Sequence, residues 1–332
     1  MKIRKYILFT VLLLLLPLSI AFDGGMAGGK ESDALLGAPE WVTVLCVGFD
    51  EAAGNTDVLM LITMNPKNRE ITVLQIPRDT YFSADTAQQK VNQLYPAYRA
   101  SGQDRSVAMA RLAAQLSDAF GITVDHYAAL DFSSIAYLVD RLGGLAVNVP
   151  TDIPNGDTEL ILAGEQTLNG REALAFLRHR AGYVEGDIAR VDAQKLLLLS
   201  AYKKLKNELS LTDLAILIPD LHKRIATDMT VPRQLSIAYA YVRDRMGYTV
   251  RLITLPGSAT RADGDAGTWY YIVNKRAAGE ILERYFDGST FDRDGRMTDN
   301  SRVHFAAIYE DNNVSYNVYT EETIDKLEIK TK

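Results

Sequence analysis

The sequence predicts an α/β fold: a three-layer α-β-α domain with a mixed central sheet, preceded by one N-terminal transmembrane helix. Three observations predict it. Val42 to Phe49 (VTVLCVGF) is an unbroken apolar run of strand length, rich in β-branched residues, as a strand buried on both faces requires. Strand-like runs then alternate with stretches of helical spacing, the pattern of a sheet covered by helices. Asp57 to Met64 and Glu70 to Ile76, joined by Asn65-Pro66-Lys67-Asn68, read as a hairpin, which makes the sheet mixed.

From the N-terminus, Lys2, Arg4 and Lys5 precede a 17-residue apolar run, Tyr6 to Phe22, broken only by Thr10, Pro17 and Ser19. As a helix it would span about 26 Å, close to the ~30 Å of a bilayer's hydrocarbon core. The basic flank should stay in the cytoplasm and send everything after Asp23 outside. An uncleaved anchor and a signal peptide cut near Ala21 both fit the run. No cysteine stands directly after it, and residues 23–40 hold none, so a lipoprotein is excluded. Residues 23–40 hold five glycines and Pro39 and form a linker.

After the first strand and the hairpin come helices over about 87–101 and 105–119, then a short strand, His126 to Leu130. Phe132 to Leu142 is helical and stops at Gly143-Gly144. Leu145 to Val149 is a strand ended by Pro150, and 151–169 is loop. Helices follow at Glu172 to Leu177, Asp187 to about Asn207, 211–223 and 231–245. Tyr248 to Leu255 is a strand closed by Pro256-Gly257, and the last residues hold strand-like Val303 to Tyr309 and Val314 to Tyr319.

Composition narrows the function. Hydrophobic residues are 47% and charged residues 23%, so the chain is globular rather than disordered. Net charge is −6, and beyond the first five residues 33 basic side chains face 42 acidic ones. Sequence-independent nucleic-acid binding needs a basic footprint, so no nucleic-acid partner is expected. One cysteine, Cys46, makes neither an intramolecular disulfide nor a cysteine zinc site.

Four stretches hold charge where a bland fold needs none. Asp50 ends the first strand and Asp57 opens the second; paired carboxylates at a strand end suit a hard divalent cation. Ile76-Pro77-Arg78-Asp79 puts an arginine fork, matched to phosphate oxygens, directly after a strand. Lys90 is a point-charge phosphate binder near a helix start. Arg178-His179-Arg180 presents two forks, and Asp187, Arg190 and Gln194 share one helix face, which is usually a solvated one. Converging cations and carboxylates are the signature of a metal–pyrophosphate site.

These stretches, in this order, resemble the LytR-CpsA-Psr family of cell-envelope proteins. The carrying strings are TDVLMLITMNPKNREITVLQIPRDTYF, DHYAALDF, DRLGGLAVNVP, LAGEQTLNGREALAFLRHR and GDIARVDAQ. The resemblance implies a catalytic domain over 41–258, with 259–332 as an extension. It implies transfer of a glycopolymer, of teichoic acid or capsule type, from a polyprenyl-pyrophosphate carrier to peptidoglycan, with Mg²⁺ or Mn²⁺. The domain would sit outside the membrane of a Gram-positive-type envelope, beside membrane lipid. By the same resemblance, Asp50 and Asp57 serve the metal, and Arg78, Lys90, Arg178, Arg180 and Gln194 hold the pyrophosphate. Asp79, Asp187 and Arg190 complete or orient the site, with Asp50 or Asp79 as proton acceptor. The family usually has arginine where this chain has Asn55 and Ala193. The alternative is a regulatory protein that binds polyprenyl phosphates without turnover. The prenyl chain needs an apolar channel, for which the helices over 105–142 are candidates.

Overall fold

Successive residues of strand β1 (Val42–Phe49) face opposite cores, and the fold is arranged around that alternation. The structure, a computed structural model, describes residues 41–49, 56–82, 89–156, 158–184, 187–208, 210–261, 268–287, 289 and 316–332. The apolar run expected to enter the membrane, the linker, Asp50 and Val303 to Tyr309 lie outside these residues. Among the described residues no helix is long and apolar enough to cross a membrane.

β1 is followed by the hairpin β2 (Thr56–Asn65) and β3 (Glu70–Ile76), then α1 (Leu94–Ala100), α2 (Arg105–Phe120), β4 (His126–Asp131) and α3 (Phe132–Arg141). Next come β5 (Leu145–Val149), the short pair β6 (Ile153–Pro154) and β7 (Leu160–Ile161), β8 (Gly164–Leu168) and α4 (Gly170–Arg178). The long α5 (Asp187–Glu208), α6 (Leu211–His222), β9 (Ala226–Thr227), α7 (Val231–Asp244) and β10 (Thr249–Thr254) complete the middle of the chain. The chain continues through β11 (Gly257–Arg261), β12 (Trp269–Val273), α8 (Lys275–Tyr285) and β13 (Val318–Tyr319).

Seven strands form one mixed sheet in the order β13-β10-β3-β2-β1-β4-β9. β1 is antiparallel to β2 and parallel to β4, and β3 is antiparallel to β2 and parallel to β10. The C-terminal ends of β1, β3, β4 and β10 and the start of β2 therefore share one edge. Leu45, Val47 and Phe49 pack with α1, α2 and α8, while Val44 and Cys46 pack with α5, α6 and α7. A third core joins α3, α4, α5 and the β5–β8 pair.

Three expectations need correction. The helix expected from about residue 87 begins only at Val91, as a 3-10 turn leading into α1. Gln89 takes φ of 53° and Lys90 is extended, bridged to Tyr81, so no helix can include them. The loop expected over 151–169 contains β8, whose polar sequence GEQTL gives little strand signal but pairs fully with β5. The β11–β12 hairpin and α8 were not expected. Ala278, Ile281 and Leu282 of α8 are fully buried in the same core as α2, and β13 supplies the edge of the main sheet.

Candidate functional site

The shared sheet edge gathers charge. Arg78 Nη1 lies 2.7 Å from Asp57 Oδ1, and Lys90 Nζ lies 2.8 Å from Asp79 Oδ1. Arg78 Nε is 3.9 Å from Asp79 Oδ2, so the four side chains alternate in sign along one chain of contacts. Each is about four-fifths buried, which makes the group more than a surface ion pair. The backbone holds them from both sides. The Val91 N–H donates to Thr80 C=O at 2.9 Å, and the Tyr271 N–H donates to Asp79 C=O at 2.8 Å. The hydroxyl of Thr56 donates to Asn92 C=O at 3.0 Å, which ties the start of β2 to the segment carrying Lys90.

The β1–β2 register is irregular between Gly48 and Phe49, immediately before Asp50, as strands often are beside sites. Asp50 itself lies outside the described residues. Asp131, opposite Phe49 on β4, caps α3 by accepting the Ser134 N–H at 2.6 Å. Its burial pushes the carboxyl up, but hydrogen bonds from Ser133 and Ser134 and the charge of Arg105 hold it below the usual range.

Arg105 was not singled out from the sequence. Its guanidinium lies 4.6 Å from the Phe49 ring centroid, which brings a further cation to this edge from the α2 side. The signal was present. Arg105 is the first residue of α2, where a cation opposes the helix dipole and a carboxylate would be expected.

From the other face come α4 and α5. Asn169 and Glu172 make a reciprocal capping box that fixes the start of α4. Arg178 ends that helix and lies 5.3 Å from the ring of Phe132, the residue after Asp131. His179 is extended, and Arg178 and Arg180 on either side of it are exposed. Arg190 and Gln194 do not form the solvated face their spacing suggests: both are 4% exposed. The Gln194 amide donates to Leu177 C=O at 3.5 Å, so α5 is locked to the end of α4. Gln75 on β3 similarly donates to Val191 C=O at 3.3 Å, which seats the Arg190 turn over the sheet. The backbone of Asp187 begins α5, as expected.

Beside this edge lies an apolar cavity of about 90 Å³. Its walls include Val58, Met60, Ile135, Leu138, Leu197 and Ala201. Gly48, Leu177 and Gln194 also line it; Leu177 directly precedes Arg178, and Gln194 lies one turn after Arg190. A Cβ at Gly48 would stand 3.1 Å from Val58 Cβ, so glycine permits the close strand approach there. Of the helices expected to form an apolar channel, only α3 lines the cavity; α2 fills the opposite core. Cys46 also lines it, but burial pushes the thiol up to about 12, which makes it a poor nucleophile.

A mixed sheet covered on both faces, with a cation–carboxylate edge beside an apolar cavity, defines an α/β domain with a candidate ligand site at its strand ends. The LytR_cpsA_psr family model matches residues 27–287, and the chain belongs to this family. It is 27% identical over 252 residues to the polyisoprenyl-teichoic acid--peptidoglycan teichoic acid transferase TagU of Oceanobacillus iheyensis, covering 74% of this chain and 75% of that one. It is 28% identical over 248 residues to the same-named protein of Bacillus cereus, covering 74% and 78%. The fold matches the crystal structure of B. subtilis TagV with a TM-score of 0.60 at 23% identity, covering 74% of this chain and 96% of that one. A structure of TagT bound to LIIa-WTA matches with a TM-score of 0.59 at 23% identity, covering 75% and 91%.

Proposed function

We propose that this protein is a membrane-anchored, extracytoplasmic phosphotransferase that moves a glycopolymer from a polyprenyl-pyrophosphate carrier to peptidoglycan. The observation that carries the reading is an apolar cavity lined by Gly48 of β1 and by Leu177, the residue before Arg178, in a domain whose strand ends gather cations. One end of such a site suits a prenyl chain and the other a pyrophosphate, which are the two halves of the carrier. The names of the curated relatives, teichoic acid transferases acting between polyisoprenyl-teichoic acid and peptidoglycan, support the same assignment.

In this reading Arg78, Lys90, Arg178, Arg180 and Arg190 neutralise the pyrophosphate, with Gln194 at the junction with the cavity. An acceptor sugar hydroxyl attacks the phosphorus nearest the glycopolymer. The bond from that phosphorus to the bridging oxygen breaks, and polyprenyl phosphate leaves with the bonding electrons. Asp79 or Asp50 takes the hydroxyl proton. Water in place of the sugar would give pyrophosphate hydrolysis as a side reaction.

The donor chemistry fits Mg²⁺ or Mn²⁺. Asp57 offers hard carboxylate oxygens at the edge, and Mg²⁺ is commonly held by one or two carboxylates together with substrate phosphates. Asp57, together with Asp50, would hold the ion. When bound, it would supply Lewis-acid stabilisation of the phosphoryl charge.

One observation favours the second reading, binding without turnover. Ala193, where the family resemblance implies arginine, is fully buried in the third core and contributes no charge. Mass spectrometry of lipid extracted from the purified protein, with titration of a polyprenyl pyrophosphate, tests the binding common to both readings. A bound prenyl phosphate or pyrophosphate is the expected result, and neither lipid nor titratable binding would refute it.

A further inference from the structure

The segment 316–332 lies beyond the 27–287 family match, yet it touches both elements that present the α4–α5 cations. It enters through β13, which pairs with Leu252 and Ile253 of β10. It then crosses α5, where Lys195 Nζ sits 5.1 Å from the Tyr319 ring centroid and Lys206 Nζ lies 2.7 Å from Glu321 Oε2. Ile324 is buried in the second core and Ile329 packs on the third.

Its last residues pair with the turn between α4 and α5. The Val184 N–H donates to Lys330 C=O at 2.9 Å, and the Lys332 N–H donates to Gly182 C=O at 2.9 Å. Tyr183 stands opposite Thr331 as an antiparallel bridge. Within the turn, Tyr183 is fully buried and meets the His179 ring edge-on at 5.0 Å. The Gly182 N–H donates to His179 Nε2 at 3.1 Å. Arg180 lies inside this turn and Arg178 is directly before it, so 330–332 fix the backbone that carries both. Two exposed like charges at i and i+2 repel, and an untethered turn would spend binding energy on being ordered.

We propose that 316–332 is a positioning strap that pre-orders Arg178 and Arg180 against α5 for the pyrophosphate of the carrier. This rests on the proposed function. The strap's own residues contact no substrate; they act through the arginine turn.

The test compares full-length wild type with Lys332→Pro, which removes one strap donor, and with a chain ending at Ile329. Inorganic pyrophosphate probes the arginines, farnesol probes the apolar cavity, and thermal unfolding reports the fold. Pyrophosphate affinity should fall about fivefold in Lys332→Pro and further in the shortened chain, as expected for one hydrogen bond and then several. Farnesol affinity and melting temperature should hold in Lys332→Pro. Unchanged pyrophosphate affinity in Lys332→Pro, or equal loss of both ligands, would overturn the strap while wild-type binding left the function standing. Wild type that binds neither probe would overturn both.

Discussion

Arg78 is the residue on which the charged edge turns, because it bonds to Asp57 on one side and approaches Asp79 on the other. Replacing it with alanine should weaken binding of a polyprenyl pyrophosphate about ten- to hundredfold, the loss of charge-assisted hydrogen bonds of roughly 1.5–3 kcal/mol. Lysine keeps the charge but not the fork, so it should recover only part of the loss in isothermal titration. Full recovery would mean that charge alone matters. Arg105→Gln should also lower pyrophosphate affinity, with a smaller loss than Arg78→Ala; an unchanged affinity would reduce Arg105 to packing on Phe49. At this scale Arg78 and Asp79 were legible because charge follows a strand end at once; Lys90 was expected near a helix start and is instead extended. That Arg78 bonds to Asp57 rather than to its neighbour Asp79 was not legible, since that pairing depends on the hairpin bringing β2 and β3 into register.

The turn from α4 to α5 is the element whose behaviour should depend most visibly on pH. Burial holds the His179 imidazole below its ordinary value of 6.5, and its Nε2 accepts the Gly182 N–H. A protonated ring has no free lone pair to accept with. The unfolded chain binds the proton more readily, so stability from this contact is complete above 6.5 and is lost as pH falls through the lower folded value. Between pH 7.5 and 5.5, values chosen to lie roughly one unit either side of an ordinary histidine, wild type should lose more thermal stability than His179→Gln, which does not titrate. Parallel profiles would rule the contact out as the cause. The neighbouring helix faces the cavity, and Ala201→Phe should fill it. Displacing about four prenyl carbons at about 0.8 kcal/mol each predicts roughly a hundredfold loss of farnesol affinity. Inorganic pyrophosphate should still bind as in wild type, and retained farnesol affinity would place the prenyl chain elsewhere. The helices α2, α3 and α5 were legible from periodicity and stop signals. Their partners were not: an i, i+3, i+7 set of Asp187, Arg190 and Gln194 looks the same in sequence whether it meets water or the sheet.

Across the whole molecule, the central strands were the most legible part, because VTVLCVGF admits little but a strand buried on both faces. The edges were least legible. β9 is two residues, too short for any period, and β13 lies within the strand-like Val314 to Tyr319, but neither partner was legible; both join the sheet only because distant chain returns beside β4 and β10. The same long-range closure builds the site, since Tyr271 of β12 holds the Asp79 carbonyl and α8 closes the core beneath. On the proposed function, this closure serves group transfer. The direct test is a turnover assay: full-length protein in detergent with Mg²⁺, a polyprenyl-pyrophosphate-linked labelled glycan, and peptidoglycan as acceptor. Label should become covalently attached to peptidoglycan as polyprenyl phosphate is released in equal amount, and Arg78→Ala should suppress both. Tight binding of the donor with no label transferred and no polyprenyl phosphate released would contradict the transferase and leave a lipid-binding protein in its place.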